Sequence, residues 1–208
     1  MVFKLISGAV CACLVVFSFN ANAALYDRGG GLIYDDVLKI TWLQDANFGA
    51  GSVYEDTGTN GLMYWDNAWD WVGALSYFDS VRNTTWDDWR LPATNDMHHL
   101  YFQDGISTAT PGPFFNIQSG PSAPGGSLIP PSEHSYYWSG LNYSVLYINT
   151  FTFDTGNTWV MDDYIPLYAW AVRDGDVAET VVAVPAALWL FSSGLLGLIG
   201  LTKRKAHA

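Results

Sequence analysis

The order and spacing of apolar residues in this 208-residue chain predict an α+β fold. Three observations carry that reading. Strand-type runs lie at both ends of the central region, over 32–43 and again over 136–173, while helical spacing fills its middle, over 63–101. The length leaves room for one ordinary domain plus targeting segments. The expected boundaries are 1–23 for an export signal, 24–176 for the domain, 177–183 for a linker and 184–208 for a C-terminal tail.

Gly29-Gly30-Gly31 opens the domain. Leu32-Ile33-Tyr34 and Lys39-Ile40-Thr41-Trp42-Leu43 read as short strands, with Asp35-Asp36-Val37-Leu38 turning between them, and Trp42 is expected in the core. Residues 44–60 are rich in Gly, Asp, Asn and Thr and read as a loop. Over 63–78, Trp65, Ala68, Trp69, Val72 and Leu75 recur at steps of three and four, so a helix with one buried face is expected, and Asp66 suits its first turn. The same tryptophan stripe, if exposed, would make a sugar platform.

The stretch Trp86-Asp87-Asp88-Trp89-Arg90-Leu91-Pro92 follows. Trp89 and Leu91 are expected to enter the core, and Pro92 to end the strand before Thr94 caps a second helix carrying Met97, Leu100 and Tyr101 inward. Arg90, set between apolar neighbours, needs a carboxylate partner, with Asp88 and Asp174 the candidates. His98 and His99 are neighbours that a helix points in different directions, which predicts solvent-facing histidines rather than a shared metal. Residues 104–135 are studded with Pro and Gly and must be irregular, with Phe114-Phe115-Asn116-Ile117 pinning them to the core. Tyr136–Gly140 begins a strand with Trp138 inside. Residues 147–153 and 158–161 form a hairpin around Asp154-Thr155-Gly156-Asn157, and Tyr168–Arg173, with Trp170 and Arg173, is a last strand.

The two ends concern sorting. Lys4, the apolar run Leu5–Phe19 and Ala21-Asn22-Ala23 make a secretory signal, and the small residues Ala21 and Ala23 place signal-peptidase cleavage before Ala24. A lipoprotein anchored at Cys13 would leave too short an apolar core ahead of it. The uncharged run 181–201 is long enough for a transmembrane helix, and Lys203, Arg204 and Lys205 hold its end in the cytoplasm. A plain tail anchor would read the same way. Val184-Pro185-Ala186-Ala187, the apolar run 188–200 and the basic cluster, taken in order, resemble the PEP-CTERM class of sorting tails in its VPLPA variant. Ala183 and Val184 stand in place of the usual Pro-Leu pair. The resemblance implies an exosortase-like membrane protease as partner, with transient inner-membrane anchoring and then release to the cell surface or extracellular matrix.

Between these ends, all 20 acidic residues face five basic ones, for a net charge of −15. Such a surface repels polyanions and sets aside nucleic acid as a partner, whereas calcium, a basic protein or a neutral sugar suits it. The two cysteines, Cys11 and Cys13, both lie in the leader, so the mature domain has no disulfide and no thiolate chemistry.

Six motifs then stand in one order: Gly-Leu-Ile-Tyr-Asp-Asp (31–36), Thr-Trp-Leu-Gln-Asp-Ala-Asn (41–47), Trp65-Asp66-Asn67-Ala68, Trp-Arg-Leu-Pro (89–92), Tyr-Trp-Ser-Gly (137–140) and Trp-Ala-Val-Arg (170–173). The series resembles the Lcl C-terminal domain family over roughly residues 25–176. More distantly it is similar to the C-type-lectin-like fold. That likeness implies two helices packed on a twisted antiparallel sheet, with Trp42, Trp65, Trp69, Trp89, Arg90, Pro92, Trp138, Trp170 and Arg173 as structural residues. The family's best-known member binds sulfated glycans as an adhesin, a ligand that a strongly acidic domain would repel.

No catalytic residue is assigned. The doublets Asp35-Asp36, Asp87-Asp88 and Asp162-Asp163 invite an aspartate-based polysaccharide hydrolase, but adjacent residues of an extended chain point to opposite sides. Asp87, Asp88, Asp154 and Asn157 are hard oxygen donors and the candidates for calcium, without calcium-loop spacing. The expected function is non-enzymatic recognition or adhesion, with a glycan or protein ligand, in the envelope or its exopolysaccharide. The rivals are the hydrolase and a purely structural matrix component.

Overall fold

The computed structural model describes residues 25–56, 60–120 and 134–178. The signal over 1–23 with Ala21 and Ala23, the stretch 121–133, and the tail with Val184, Pro185 and Ala186 lie outside the described residues. Among the described residues no helix is long and apolar enough to cross a membrane.

The fold is α+β. In chain order it runs β1 (Leu25–Asp27), β2 (Leu32–Asp35), β3 (Ile40–Leu43), β4 (Leu62–Met63), α1 (Trp65–Ala74), β5 (Tyr77–Asp79), β6 (Thr84–Trp86) and β7 (Trp89–Arg90). Then come α2 (Thr94–Phe102), β8 (Tyr137–Asn142), β9 (Tyr147–Phe151), β10 (Thr158–Asp162), β11 (Leu167–Tyr168) and β12 (Val172–Asp174). The strands make two five-stranded sheets, β1-β2-β3-β12-β7 and β10-β9-β8-β11-β4, and a β5-β6 hairpin. The expectation of one antiparallel sheet is thereby corrected. The first sheet is antiparallel throughout, but the second contains a parallel pairing of β11 with β8.

The cause of the division lies at Ala169-Trp170-Ala171. The expected single strand 168–173 is broken there: Tyr168 donates its N–H to Tyr136 O in one sheet, and Ala171 O accepts from Leu43 N–H in the other. The Trp170 ring fills the joint. It lies 5.0 Å from Trp42 of the first sheet, 5.8 Å from Tyr137 of the second, 5.0 Å from Phe114 and 5.5 Å from Phe153. Its indole N–H donates to Leu43 O at 2.7 Å, which satisfies the ring's own polar atom. Trp138 does likewise to Met63 O, tying β8 to β4. Phe114 is buried, Phe115 bridges to Asp45, and Gln118 N–H donates to Tyr137 Oη, so 114–118 does hold the irregular segment to the core.

The first hairpin forms as the sequence indicates. Asp35 Oδ1 accepts the N–H groups of Val37 and Leu38 at 2.9 Å each and builds the turn. Helix α1 departs from expectation in two ways. It ends at Ala74, with Leu75 already extended, so Tyr77–Asp79 forms a strand, a state that suits its aromatic pair. Its buried residues are Ala68, Trp71 and Val72, while Trp69 is 49% exposed. The stripe is thus rotated, and Trp71 takes the core position expected for Trp69. In α2 the N-cap is Ala93 rather than Thr94, and the Asp96 carboxylate accepts the Ala93 N–H at 2.9 Å.

The β5-β6 hairpin docks on Gly29-Gly30-Gly31, all at positive φ. Tyr77 Oη donates to Gly30 O, and a Cβ on Gly31 would collide with that hydroxyl. At the turn, buried Asp79 accepts from Val81 N–H, Arg82 N–H, the Arg82 guanidinium at 2.7 Å and the Trp86 indole. Burial alone would raise the Asp79 pKa. The hydrogen bonds from Arg82, Trp86 and the turn outweigh it and hold the carboxyl below its ordinary value.

Two outcomes are expected. Trp170→Ala should cost about 3–5 kcal/mol in urea unfolding, whereas Trp69→Ala should cost about 1 kcal/mol or less. For Asp79, a depressed folded pKa gives stabilisation that is present above the unfolded value of 3.8 and lost as pH falls through the lower folded value. Asp79→Asn should therefore flatten the fall in Tm between about pH 4 and pH 2, and should cost on the order of 3 kcal/mol at pH 7 by leaving Arg82 without its partner.

Candidate functional site

The Trp86–Pro92 stretch is organised by two arginines. Trp89 is buried and donates its indole N–H to Trp86 O at 2.9 Å, and Pro92 O accepts from Gly140 N–H, joining this stretch to β8. Arg90 bridges α2 to the sheet, as its setting suggests. Its Nε and Nη2 donate to Asp174 Oδ1 at 3.0 and 2.8 Å, and its Nη1 donates to Asp96 Oδ2 at 3.2 Å. Asp88 serves a different cation. Its two oxygens accept from Nε and Nη2 of the nearly buried Arg173 at 2.7 and 2.8 Å, and that guanidinium lies 4.1 Å from the Trp86 ring. The hydrogen bonds from Arg173 lower the Asp88 pKa.

Asp88 is therefore committed, and the expected calcium group does not assemble. Asp154 accepts from the N–H groups of Gly120 and Ser135 and faces His134, and Asp87 and Asn157 are exposed. One member of each doublet has a structural partner: Asp35 builds its turn, Asp88 binds Arg173, and Asp162 accepts Tyr164 N–H in another turn.

Beside Arg90 lies a groove of about 290 Å³, lined by Trp69, Arg90, Leu91, Ala93, Asp96, Gly140 and Leu141. Trp65 sets the position of its aromatic wall. The Trp65 indole N–H donates to Ser139 O at 3.1 Å, and the Trp69 ring lies 5.5 Å from the Trp65 ring. One indole face is thus presented next to a guanidinium and a carboxylate whose geometry is fixed by their mutual bond. Leu141 is 50% exposed at the groove edge, and exposed Tyr143, Leu146 and Tyr147 extend the apolar surface along the β8-β9 connection. A second hollow of about 510 Å³ is walled by Arg82, Trp86 and Asp176–Ala178, but its guanidinium is engaged by Asp79.

A different set of donors meets on the far end of α2. Asp35, His99 and Asp104 place their ligand atoms within 4.8 Å of one another, the one such group among the described residues. His99 is therefore not the solvent-facing residue expected: it turns inward beneath the hairpin turn, with its side chain 17% exposed. His98 packs against Phe151 and Phe102 and bonds Thr158 Oγ1. Burial, then the nearby Asp35 charge, pushes the Asp104 pKa up to about 6. The Asp35 and Asp104 side chains are 0% and 2% exposed, which leaves no room for a polymer substrate. Asp35 ends β2, far before α2 in the chain, so no local spacing marks this group. The groove is likewise assembled from α1, β7, the N-terminus of α2 and β8.

No family model matches the chain and no curated protein matches it.

Arg90→Lys loses the planar fork that serves Asp174 and Asp96 together. A cost of about 1 kcal/mol is expected, read as a Tm lower by about 2–4 °C, and an unchanged Tm would remove the bridging role.

Proposed function

We propose that this chain is an exported, non-enzymatic recognition module that binds a neutral saccharide in the Trp69 groove, at the cell surface or in the extracellular polysaccharide. The observation that carries this reading is the exposed Trp69 ring beside the paired Arg90 and Asp96. A sugar ring offers an apolar C–H face and a rim of hydroxyls. An indole takes the first, and a guanidinium–carboxylate pair donates to and accepts from the second. The acidic domain favours a neutral ligand over a sulfated one.

The sequence adds the cellular setting. The leader with Ala21 and Ala23 supports export through signal peptidase. The tail with Val184, Pro185 and Ala186 supports membrane insertion and handling by an exosortase-like protease. The motif series from Gly31 to Arg173 supports kinship with the Lcl C-terminal domains and a C-type-lectin-like fold, and the two helices with antiparallel hairpins accord with it.

A glycan array, run with and without calcium, tests the reading. Neutral glycans should bind in both conditions and sulfated ones should not. Trp69→Ala should weaken binding roughly tenfold or more, with folding intact by circular dichroism. A turnover assay on the native exopolysaccharide should show no product. Turnover abolished by a single Asp→Asn change would replace this reading with the hydrolase, and an array without any hit would favour a structural matrix component.

A further inference from the structure

We propose that Asp35, His99 and Asp104 form a binding site for one divalent transition-metal ion, with zinc the best match, that clamps the C-terminal end of α2 to the first hairpin.

Three buried carboxylate oxygens carry the inference. Asp35 is fully buried and spends Oδ1 on the N–H groups of Val37 and Leu38, while its Oδ2 has no hydrogen-bond donor. Asp104 is 2% exposed and neither of its oxygens has a donor. The Nε2 of His99, also without a hydrogen bond, lies 3.7 Å from Asp104 Oδ2 and 4.0 Å from Asp35 Oδ2. Buried polar atoms are nearly always satisfied, and leaving a carboxylate oxygen without a donor costs several kcal/mol. Here the atoms left over converge on one point. They come from a strand end, a helix and the second residue beyond its end, and two of the three residues are acidic.

The donor set selects the ion. Calcium and magnesium prefer all-oxygen shells of six or more ligands, whereas an imidazole nitrogen with two carboxylates suits zinc, manganese or iron. Tetrahedral zinc with bonds of about 2.0–2.2 Å separates its ligand atoms by about 3.4 Å. The His99 contacts at 3.7 and 4.0 Å are close to that spacing, and the two carboxylates, within 4.8 Å of each other, would draw together on the ion. With neutral His99 the two carboxylates balance the ion's charge. The clamp has a structural reason: His99 O accepts the N–H groups of both Gln103 and Asp104 as α2 ends, so fixing His99 and Asp104 fixes that terminus.

The competing account is an internal one, in which His99 takes a proton and serves as the cation for both carboxylates without any ion. Purified full-length protein, stripped with a chelator and titrated with zinc chloride at neutral pH, separates the two. One zinc per chain by elemental analysis, a Tm rise of about 5 °C or more at saturation, and cobalt substitution giving the visible bands of a low-coordinate site would support the proposal. His99→Ala and Asp104→Asn should each weaken zinc binding about 100-fold or more, whereas His98→Ala should leave it unchanged. Zinc that leaves the wild-type Tm unchanged would overturn the proposal. So would zinc binding that survives His99→Ala, or a response to calcium with none to zinc. The wild-type titration decides the matter even if a variant fails to fold. It is also independent of glycan binding, so failure of the saccharide reading would leave this result standing.

Discussion

Everything in this domain depends on one tryptophan standing where the chain changes sheets. Between Tyr168, paired in the second sheet, and Val172, paired in the first, only three residues are available to make the crossing. Such a short crossing brings the sheets close, and the gap is filled by a side chain with a large apolar area and one donor placed to reach Leu43 O. Trp42, Phe114, Tyr137 and Phe153 meet that ring from separate parts of the chain. The core is therefore aromatic because the junction is narrow and many edge-to-face contacts can be packed into it. With no cysteine between 25 and 178, packing has no covalent support there.

The second organising feature is the use of positive charge. Each of the four arginines among the described residues is spent inside the domain: Arg28 on Asp176, Arg82 on Asp79, Arg90 on Asp174 and Asp96, and Arg173 on Asp88. The Arg28–Asp176, Arg90–Asp174 and Arg173–Asp88 pairs join segments far apart in sequence, whereas Arg82–Asp79 and Arg90–Asp96 are local. Scarce cations thus act as stitches, and the exterior is left with a net negative charge. Such an exterior disfavours polyanionic ligands wherever the groove or its surroundings are approached.

The legibility of the fold followed the range of the forces involved. The first hairpin could be read because Asp35 and the residues after it settle their turn locally. The 147–162 hairpin was equally open, with Gly156 at positive φ in its turn. Helix α1 was visible, but its buried face was not. Trp65 and Trp69 flank one side of Ala68 and Val72, and Trp71 flanks the other, so either side could have been covered. The choice rests with β7 and β8, whose positions are set by distant partners. The break at Trp170 was hidden for a similar reason, since an unbroken apolar run looks the same whether it serves one sheet or two. Of the candidate sites, Arg90 was legible as a residue in need of partners. The Asp35–His99–Asp104 group was not, because its members stand apart in sequence and the adjacency of His98 to His99 pointed outward.

The position of β12 has a mechanical side. This strand is the last element before the linker, and it lies between β3 and β7, bonded to both. Tension applied at the C-terminal end would therefore load two ladders at once, together with the Arg90–Asp174 and Arg173–Asp88 links across them. A terminal strand at a sheet edge would peel one bond at a time, while an interior one must shear past its neighbours together. The Arg28–Asp176 pair brings β1 into the same load path. A domain pulled from this end would yield late and abruptly.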